Sequence, residues 1–301
     1  MKKESIKGIK RILGKNLIAL FYRSLFFLSD EAYIKLIYRL RMGKKLNLEN
    51  PVTFNERLQW LKLNDHNPEY TKIADKLAVR DYIKERVGEE HIVPVLGVWS
   101  SFDEIDFDSL PSRFVLKTTH DSGSWVICSD KSSFDFSSAR KILTRSLKRN
   151  YYRTTREWQY KDVEPKIVAE EYLGDRIDDY KFFCFNGEAK FMYIEKETDA
   201  HPSQAIFDMN FNRLPFSMDD DVSLSAFEKP GFFDEMKRIA GVLSSGIPFI
   251  RVDMYYVGGR ILVGELTFYH YGGYIPFNPP GWDKTIGGYL KIDNINNRGD
   301  K

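Results

Sequence analysis

The sequence predicts an α+β fold. Strand-like runs rich in β-branched and aromatic residues are bounded by turn signals. Hairpin turns join several of them, and helical stretches are mixed in without strict strand–helix alternation. With 301 residues, 43% hydrophobic and 29% charged, the composition is that of a soluble globular protein. That length suffices for one large domain or for two small lobes around a cleft.

Residues 1–45 read as one or two helices. They carry twelve lysines and arginines against three acids, roughly +9, while the whole chain is only +2. Residues 9–27 mix basic and greasy side chains at roughly helical spacing, so this extension either lies on an anionic membrane surface or packs on the body. Lys15 and Arg23 interrupt its apolar run, which is too short to span a bilayer, and no cleavable secretory signal is visible. Residues 46–301 read as the main domain.

Asn50-Pro51 is a break, because the residue before proline avoids helix. Thr53 then caps a helix, with Glu56 completing a capping box and Phe54, Leu58 and Leu61 on its buried side. A second helix is expected over residues 72–86, stopping at Gly88. Strands are expected at 91–99, 113–118, 125–128, 166–170, 180–186 and 189–194, with Asn186-Gly187 as a hairpin turn. Residues 137–150 and 232–245 read as helices. Cys128 and Cys184 lie in β-like runs without metal-ligand spacing and read as buried free thiols.

Two runs carry the most chemical information. Arg251-Val252-Asp253 lies in a β-rich run, Gly258-Gly259-Arg260 reads as a turn, and a strand returns through Gly264-Glu265-Leu266-Thr267. Pairing Val257 with Ile261 and counting back sets Asp253 opposite Glu265, with Arg251 on the same face. Facing carboxylates beside an arginine suit Mg²⁺ held against nucleotide phosphates, or a cross-strand polar cluster on a solvated face. Phe114-Val115-Leu116-Lys117 is a greasy strand ending in a lysine, followed by Thr119-His120-Asp121-Ser122-Gly123-Ser124. Such a loop offers N–H groups and hydroxyls to phosphates, or is a surface hairpin; Asp121 repels phosphate there unless His120 or a lysine offsets it. Glu170-Glu171-Tyr172-Leu173, with Asp179-Tyr180-Lys181 beyond it, reads as strand–turn–strand or as a nucleotide hinge. Asp219-Asp220-Asp221 reads as a solvated loop, or as the acidic motif of a nucleotide-sugar glycosyltransferase. The aromatic and basic residues of Tyr151-Tyr152-Arg153 and Arg156-Glu157-Trp158 read as lid or helical packing, since no strongly basic domain suggests nucleic acid. The five histidines show no ligand spacing.

The order of these motifs resembles the ATP-grasp superfamily, and most of all its TupA-like branch, named for teichuronopeptide biosynthesis. Ala74-Asp75-Lys76 with Arg80, Phe114-Val115-Leu116-Lys117, Ser122-Gly123-Ser124, Glu170-Glu171-Tyr172-Leu173, Asp179-Tyr180-Lys181, Arg251-Val252-Asp253 and Glu265-Leu266-Thr267 carry it. Asn50-Pro51-Val52-Thr53-Phe54-Asn55-Glu56 and the run from Asp179 to Gly187 are the most branch-like. The resemblance covers about residues 45–290 and implies two α/β lobes gripping ATP. It implies that Lys76 and Lys117 contact ATP phosphates and that the loop with His120, Ser122, Gly123 and Ser124 closes over them. Glu170, Glu171, Tyr172 and Leu173 would form the adenine hinge, with Asp179 near the ribose. Lys181 would reach a phosphate or the acceptor, and Arg251 would steady charge on the phosphoryl group or acyl intermediate. Asp253 and Glu265 would hold Mg²⁺, with Thr267 standing where many such ligases place asparagine.

The expectation is therefore a cytoplasmic ATP- and Mg²⁺-dependent carboxylate–amine ligase. Its partners would be ATP, a carboxylate-bearing sugar or glycan precursor of a surface polysaccharide and an amine such as an amino acid. No nucleic acid is expected, and peripheral membrane contact would run through residues 1–45. The alternatives are a glycosyltransferase of capsule or cell-wall polysaccharide and a non-catalytic nucleotide-binding module.

Overall fold

The computed structural model describes residues 24–196, 203–218, 227–292 and 295. The basic run before Ser24 and the triplet Asp219-Asp220-Asp221 lie outside the described residues.

Two antiparallel sheets organise the chain. The smaller contains β1 (Val95–Trp99), β2 (Phe114–Thr118), β3 (Trp125–Cys128) and β4 (Ile167–Glu171), in the order β1-β4-β2-β3. The larger contains β5 (Asp179–Phe185), β6 (Glu188–Lys196), β7 (Ser203–Asp208), β8 (Phe249–Val257) and β9 (Arg260–Thr267), in the order β7-β6-β5-β8-β9. The chain passes from the smaller sheet to the larger between β4 and β5. Glu170 and Asp179 therefore do not form the strand–turn–strand that their spacing suggests; they stand on the two sides of a crossing.

The helices are α1 (Asp30–Met42), α2 (Phe54–Asn64), α3 (Glu69–Ala74), α4 (Val79–Val87), α5 (Phe136–Leu147), α6 (Tyr152–Thr155), α7 (Phe233–Leu243) and α8 (Gly281–Gly287). The Thr53 hydroxyl accepts from the Glu56 N–H, and the Glu56 carboxylate accepts from the Thr53 N–H, completing the expected capping box. Such a cap contributes about 1 kcal/mol. Phe54 then enters an aromatic cluster with Phe249 (4.9 Å between ring centres) and Phe185 (5.6 Å). Asn186 and Gly187 turn the β5–β6 hairpin with φ of 52° and 86°, the left-handed pair that an Asn-Gly turn requires.

The expected helix over 72–86 is instead α3 and α4 with a break at residues 75–78. The Lys76 N–H bonds the Thr119 carbonyl at 3.2 Å, and the Leu77 N–H bonds the Asp75 carboxylate at 2.8 Å. These bonds replace helical ones and set Lys76 beside the loop that follows β2.

Each sheet has one face committed to packing. In the smaller sheet Phe114, Leu116, Ile167 and Ala169 are buried against Ala139 and Leu143 of α5. Its other face carries Lys117 and Glu170 among apolar side chains that remain partly open, with Trp125 55% and Ile127 46% exposed. In the larger sheet Phe182 and Cys184 pack on α7, with the Phe182 and Phe233 rings 6.0 Å apart. The opposite face is aromatic near the β5–β6 turn, at Phe183, Phe185 and Phe249, and becomes polar at Lys181, Arg251 and Asp253. Both cysteines are buried and free.

α1 is part of the body. Its Tyr33, Ile34, Ile37 and Tyr38 are buried with Leu46, and partly buried Leu63 and Tyr274 pack against them. The Tyr33 hydroxyl donates to the Thr154 carbonyl at 2.7 Å.

Candidate active site

The polar end of the larger sheet is a row across three strands. Lys181 of β5 pairs with Asp253 of β8, and Asp253 pairs with Glu265 of β9. The facing of Asp253 and Glu265 agrees with the sequence reading, but the route to it differs. Gly258 and Gly259 alone turn the hairpin, with φ of 59° and 79°, so Val257 pairs with Arg260 rather than Ile261. A bulge between Asp253 and Met254 then shifts the register by one residue, leaving Gly264 as the extra one. Gly264 packs under the Tyr255 ring, where a Cβ would stand 2.7 Å from Cζ.

Arg251 is 9% exposed and grips Asp253 with two bonds, Nε to Oδ1 at 2.6 Å and Nη2 to Oδ2 at 2.5 Å. Nη2 also donates to the Thr267 hydroxyl at 3.2 Å, and Nη1 donates to Nδ1 of His270. Burial opposes the charge on Arg251, but Asp253 outweighs it and holds the guanidinium charged. Burial and the charges of Arg251 and Lys181 push His270 well below the ordinary histidine value, so it is neutral. Lys181 donates to Asp179 and, at 3.1 Å, to Glu195. Burial, with Asp253 adding repulsion, raises Asp179 to about 6 against the pull of Lys181. One oxygen of Asp179, Oδ1, is buried without a hydrogen-bond partner among the described residues.

The loop after β2 is braced from within. Asp121 is 4% exposed, and its carboxylate accepts from Thr118 (2.6 Å), Ser124 (2.5 Å) and Ser146 (2.6 Å). Its charge therefore turns into the protein, away from a phosphate at the loop. His120 is likewise buried, with Nε2 donating to the carbonyls of Ser146 at 3.1 Å and Arg149 at 3.0 Å. Lys76 Nζ donates to the Asp121 carbonyl. Ser122 and Gly123 are exposed at the tip, and Gly123 has a φ of 86° with open space around it.

Lys117 and Glu170 form an ion pair of 2.5 Å on the open face of the smaller sheet. Between that face and the larger sheet lies a cavity of about 30 Å³ lined by Lys76, Arg80, Glu170 and Glu265 among apolar side chains. That is room for about one water molecule. One expected phosphate lysine, Lys76, the first hinge residue and one metal carboxylate thus line a single cleft, and Lys117 is tied to it through Glu170. Glu171 is exposed, and its N–H bonds the Pro94 carbonyl at 3.0 Å. Tyr172 bonds Asp175 and lies under Arg113, whose guanidinium is 4.3 Å from the ring centre. Tyr172 and Leu173 follow the end of β4, and no backbone bond among the described residues uses their N–H groups.

Arg80 was named in the sequence only as part of the motif order, and three other site residues were given no role there. Arg80 lines the cleft and donates to the Val93 carbonyl at 2.5 Å. His270 sits behind Arg251. Lys62 and Glu157 are buried nearby; Lys62 Nζ donates to the Gly272 carbonyl at 2.8 Å and the Thr155 carbonyl at 3.2 Å. Only Arg80 had a signal, in its spacing from Lys76; the others are set by burial, which single residues do not announce.

The donor set suits a nucleotide and its metal. Glu265 is half-buried, faces Asp253 and makes no hydrogen bond or ion pair with a described residue, so its oxygens are available to a cation. No group of three or more His, Cys, Asp or Glu among the described residues is arranged to hold a metal alone. Mg²⁺ against phosphates needs only one or two carboxylates, with phosphate oxygens and waters completing its shell.

A family model described as TupA-like ATPgrasp matches residues 56–291. Among solved structures, an L-amino acid ligase from Bacillus licheniformis is similar over 81% of this chain and 56% of its own, at 12% identity and a TM-score of 0.46. A D-alanine–D-alanine ligase from Bacillus anthracis is similar over 65% of this chain and 57% of its own, at 19% identity and a TM-score of 0.38. An N5-carboxyaminoimidazole ribonucleotide synthetase in its ADP complex is similar over 80% of this chain and 57% of its own, at 14% identity and a TM-score of 0.43. The chain thus spans less than two thirds of the length of each. No curated protein matches it.

Proposed function

Because this chain belongs to the TupA-like ATP-grasp family, we propose that it is an ATP- and Mg²⁺-dependent carboxylate–amine ligase acting on a cell-surface polysaccharide precursor. The observation that carries the reading is the row Lys181–Asp253–Glu265, with Arg251 beside it, next to a cleft lined by Lys76, Glu170 and Glu265.

In this reading a substrate carboxylate oxygen attacks the γ-phosphorus of ATP, the bond to the bridging oxygen breaks, and ADP leaves. The acyl phosphate then meets an amine, whose nitrogen attacks the acyl carbon and loses a proton while phosphate departs. Lys76 and Lys117 hold phosphate oxygens, and the exposed N–H groups near Gly123 receive them from the loop. Tyr172 and Leu173 offer backbone groups to adenine, and Asp179 meets the ribose. Lys181 and Arg251 balance charge where the phosphoryl group transfers. Mg²⁺ held by Asp253 and Glu265, with Thr267 beside them, would supply charge neutralisation at the phosphates. The apolar walls of the cleft exclude water, which would otherwise hydrolyse the acyl phosphate.

The acceptor carboxylate belongs to a uronic acid and the amine to an amino acid, or the reverse. No helix among the described residues is long and apolar enough to cross a membrane. The reading places the enzyme in the cytoplasm, where ATP is available, with residues 1–45 bringing it to the inner membrane face.

The test is ADP and phosphate release in a screen of uronate-bearing sugars against amines. Release that depends on both acceptors supports the ligase. UDP release from a sugar nucleotide, without ATP consumption, would replace it with a glycosyltransferase.

A further inference from the structure

The Arg251 guanidinium is held from two sides. Nε and Nη2 serve Asp253, and Nη1 serves Nδ1 of His270. A cation taking the Asp253 carboxylate would remove both bonds on that side, because the same two oxygens cannot serve a metal and a bidentate arginine equally. Arg251 would keep only His270 and the Thr267 hydroxyl, the latter at 3.2 Å.

His270 is built for that task. It is 4% exposed, its ring stacks on Tyr271 (4.4 Å) and meets Phe183 edge-on (5.0 Å), so it cannot swing aside. Its Nδ1 faces a donor, which fixes the neutral tautomer with the proton on Nε2. A neutral acceptor holds the arginine without cancelling its charge, unlike the Asp253 carboxylate. The turn that carries His270 is itself clamped. Tyr271, Gly272 and Gly273 all have positive φ, and α2 bonds their carbonyls through Gln59 (2.9 Å to Gly272, 2.8 Å to Gly273) and Lys62 (2.8 Å to Gly272).

We infer that His270 is a positioning residue that keeps Arg251 in place, with its charge available, once Asp253 is taken by the metal accompanying the nucleotide. This rests on the proposed roles of Arg251 and Asp253. The arginine then turns from its carboxylate partner to the phosphoryl group in transfer while remaining moored at Nη1.

The test needs neither acceptor nor turnover. Calorimetry compares Mg-ADP with Mg-ADP plus aluminium fluoride, which mimics the phosphoryl group in transfer, in wild type, His270→Ala, His270→Asn and Arg251→Lys. Losing a bond that orients a charged group should weaken the fluoride complex about tenfold or more in His270→Ala. Mg-ADP affinity should fall by much less, since only the fluoride complex draws on the arginine's charge, and the binding that remains also reports an intact fold. His270→Asn, which restores an acceptor at the same reach, should recover most of the loss. Arg251→Lys should lose the fluoride complex as His270→Ala does, and adding His270→Ala to it should cost little more. Equal weakening of both complexes, or no rescue by asparagine, overturns the mooring role while leaving the nucleotide site standing. Failure of wild type to bind Mg-ADP overturns the proposed function and the mooring together.

Discussion

Asp253 faces Glu265 across β8 and β9 because a bulge at Gly264 offsets the two-residue turn at Gly258-Gly259. Their surroundings differ. Asp253 is buried and gripped by Arg251, whereas Glu265 is half-buried and makes no hydrogen bond or ion pair with a described residue. Asp253→Asn and Glu265→Gln should each lower ADP release at least about a hundredfold. Only Asp253→Asn should also destabilise the fold, by about 3 kcal/mol, because it leaves Arg251 buried without its counter-charge. Activity assays beside urea denaturation check both halves; full activity in both variants removes the metal assignment.

Lys117→Ala should weaken Mg-ATP binding by about 1.5–3 kcal/mol, the scale for losing a charged hydrogen bond. It also strands Glu170, which is 7% exposed and otherwise ion-paired. Adding Glu170→Gln to Lys117→Ala should therefore restore stability without restoring affinity. Unchanged ATP affinity in Lys117→Ala, by calorimetry, would make the lysine a purely structural partner of Glu170.

Lys62 and Glu157 give a pH signature. Burial pushes Glu157 up from 4.5 to about 7, against Lys62, and lowers Lys62 from 10.5 to about 8, against Glu157. A carboxyl that binds protons more tightly when folded loses stability as pH rises from 4.5 to about 7. A lysine that releases protons more readily when folded regains stability as pH rises from about 8 to 10.5. The two together cost most between pH 7 and 8. The double variant Lys62→Met with Glu157→Gln should be about 1–4 kcal/mol more stable than wild type there, and the gain should shrink on either side. Denaturant midpoints across that range read it directly.

Gly287→Ala should be destabilising by about 1–3 kcal/mol. A Cβ there would collide with the Val52 carbonyl and stand 2.8 Å from the Phe54 nitrogen, both backbone atoms at the start of α2. Gly281→Ala, at the other end of α8 with nothing within 4 Å, should be neutral or slightly stabilising. Thermal melts should show a clear drop for Gly287→Ala and none for Gly281→Ala.

Truncation separates the two readings of residues 1–45. A form beginning at Leu46 loses α1, whose Tyr33, Ile34, Ile37 and Tyr38 are buried, and should be insoluble. A form beginning at Ser24 keeps α1, and should stay folded while losing flotation with anionic vesicles at low salt. Phe26 and Phe27, each 71% exposed, would stay on that form. Failure of the intact protein to float removes the membrane role.

Local chemistry made much of this legible in the sequence. The Thr53–Glu56 box, the Asn186-Gly187 turn and the β2–β3 hairpin are each set by residues within a few positions of one another. The break between α3 and α4 is not, because Ala74, Leu77 and Ala78 favour helix and the bond that ends it comes from Thr119. β7 and α8 were missed, although Pro279-Pro280 before Gly281 is a helix-start signal. The facing of Asp253 and Glu265 came out right through two compensating differences, a shorter turn and a bulge. The Asp121 charge looked hostile to phosphate until its three hydroxyl partners, one of them on α5, turned it inward.

The Lys117–Glu170 pair, with Lys76 held on the Asp121 carbonyl, means that both expected phosphate lysines already have partners. A lone phosphate or sulfate can offer one anion, yet it must break bonds at two separate places to enter fully. A triphosphate with its metal presents several anions and a cation at once, so it can exchange partners with the whole set. Affinity for simple anions should thus be feeble, and nucleotide binding should depend less on salt than the count of lysines and arginines at the cleft suggests.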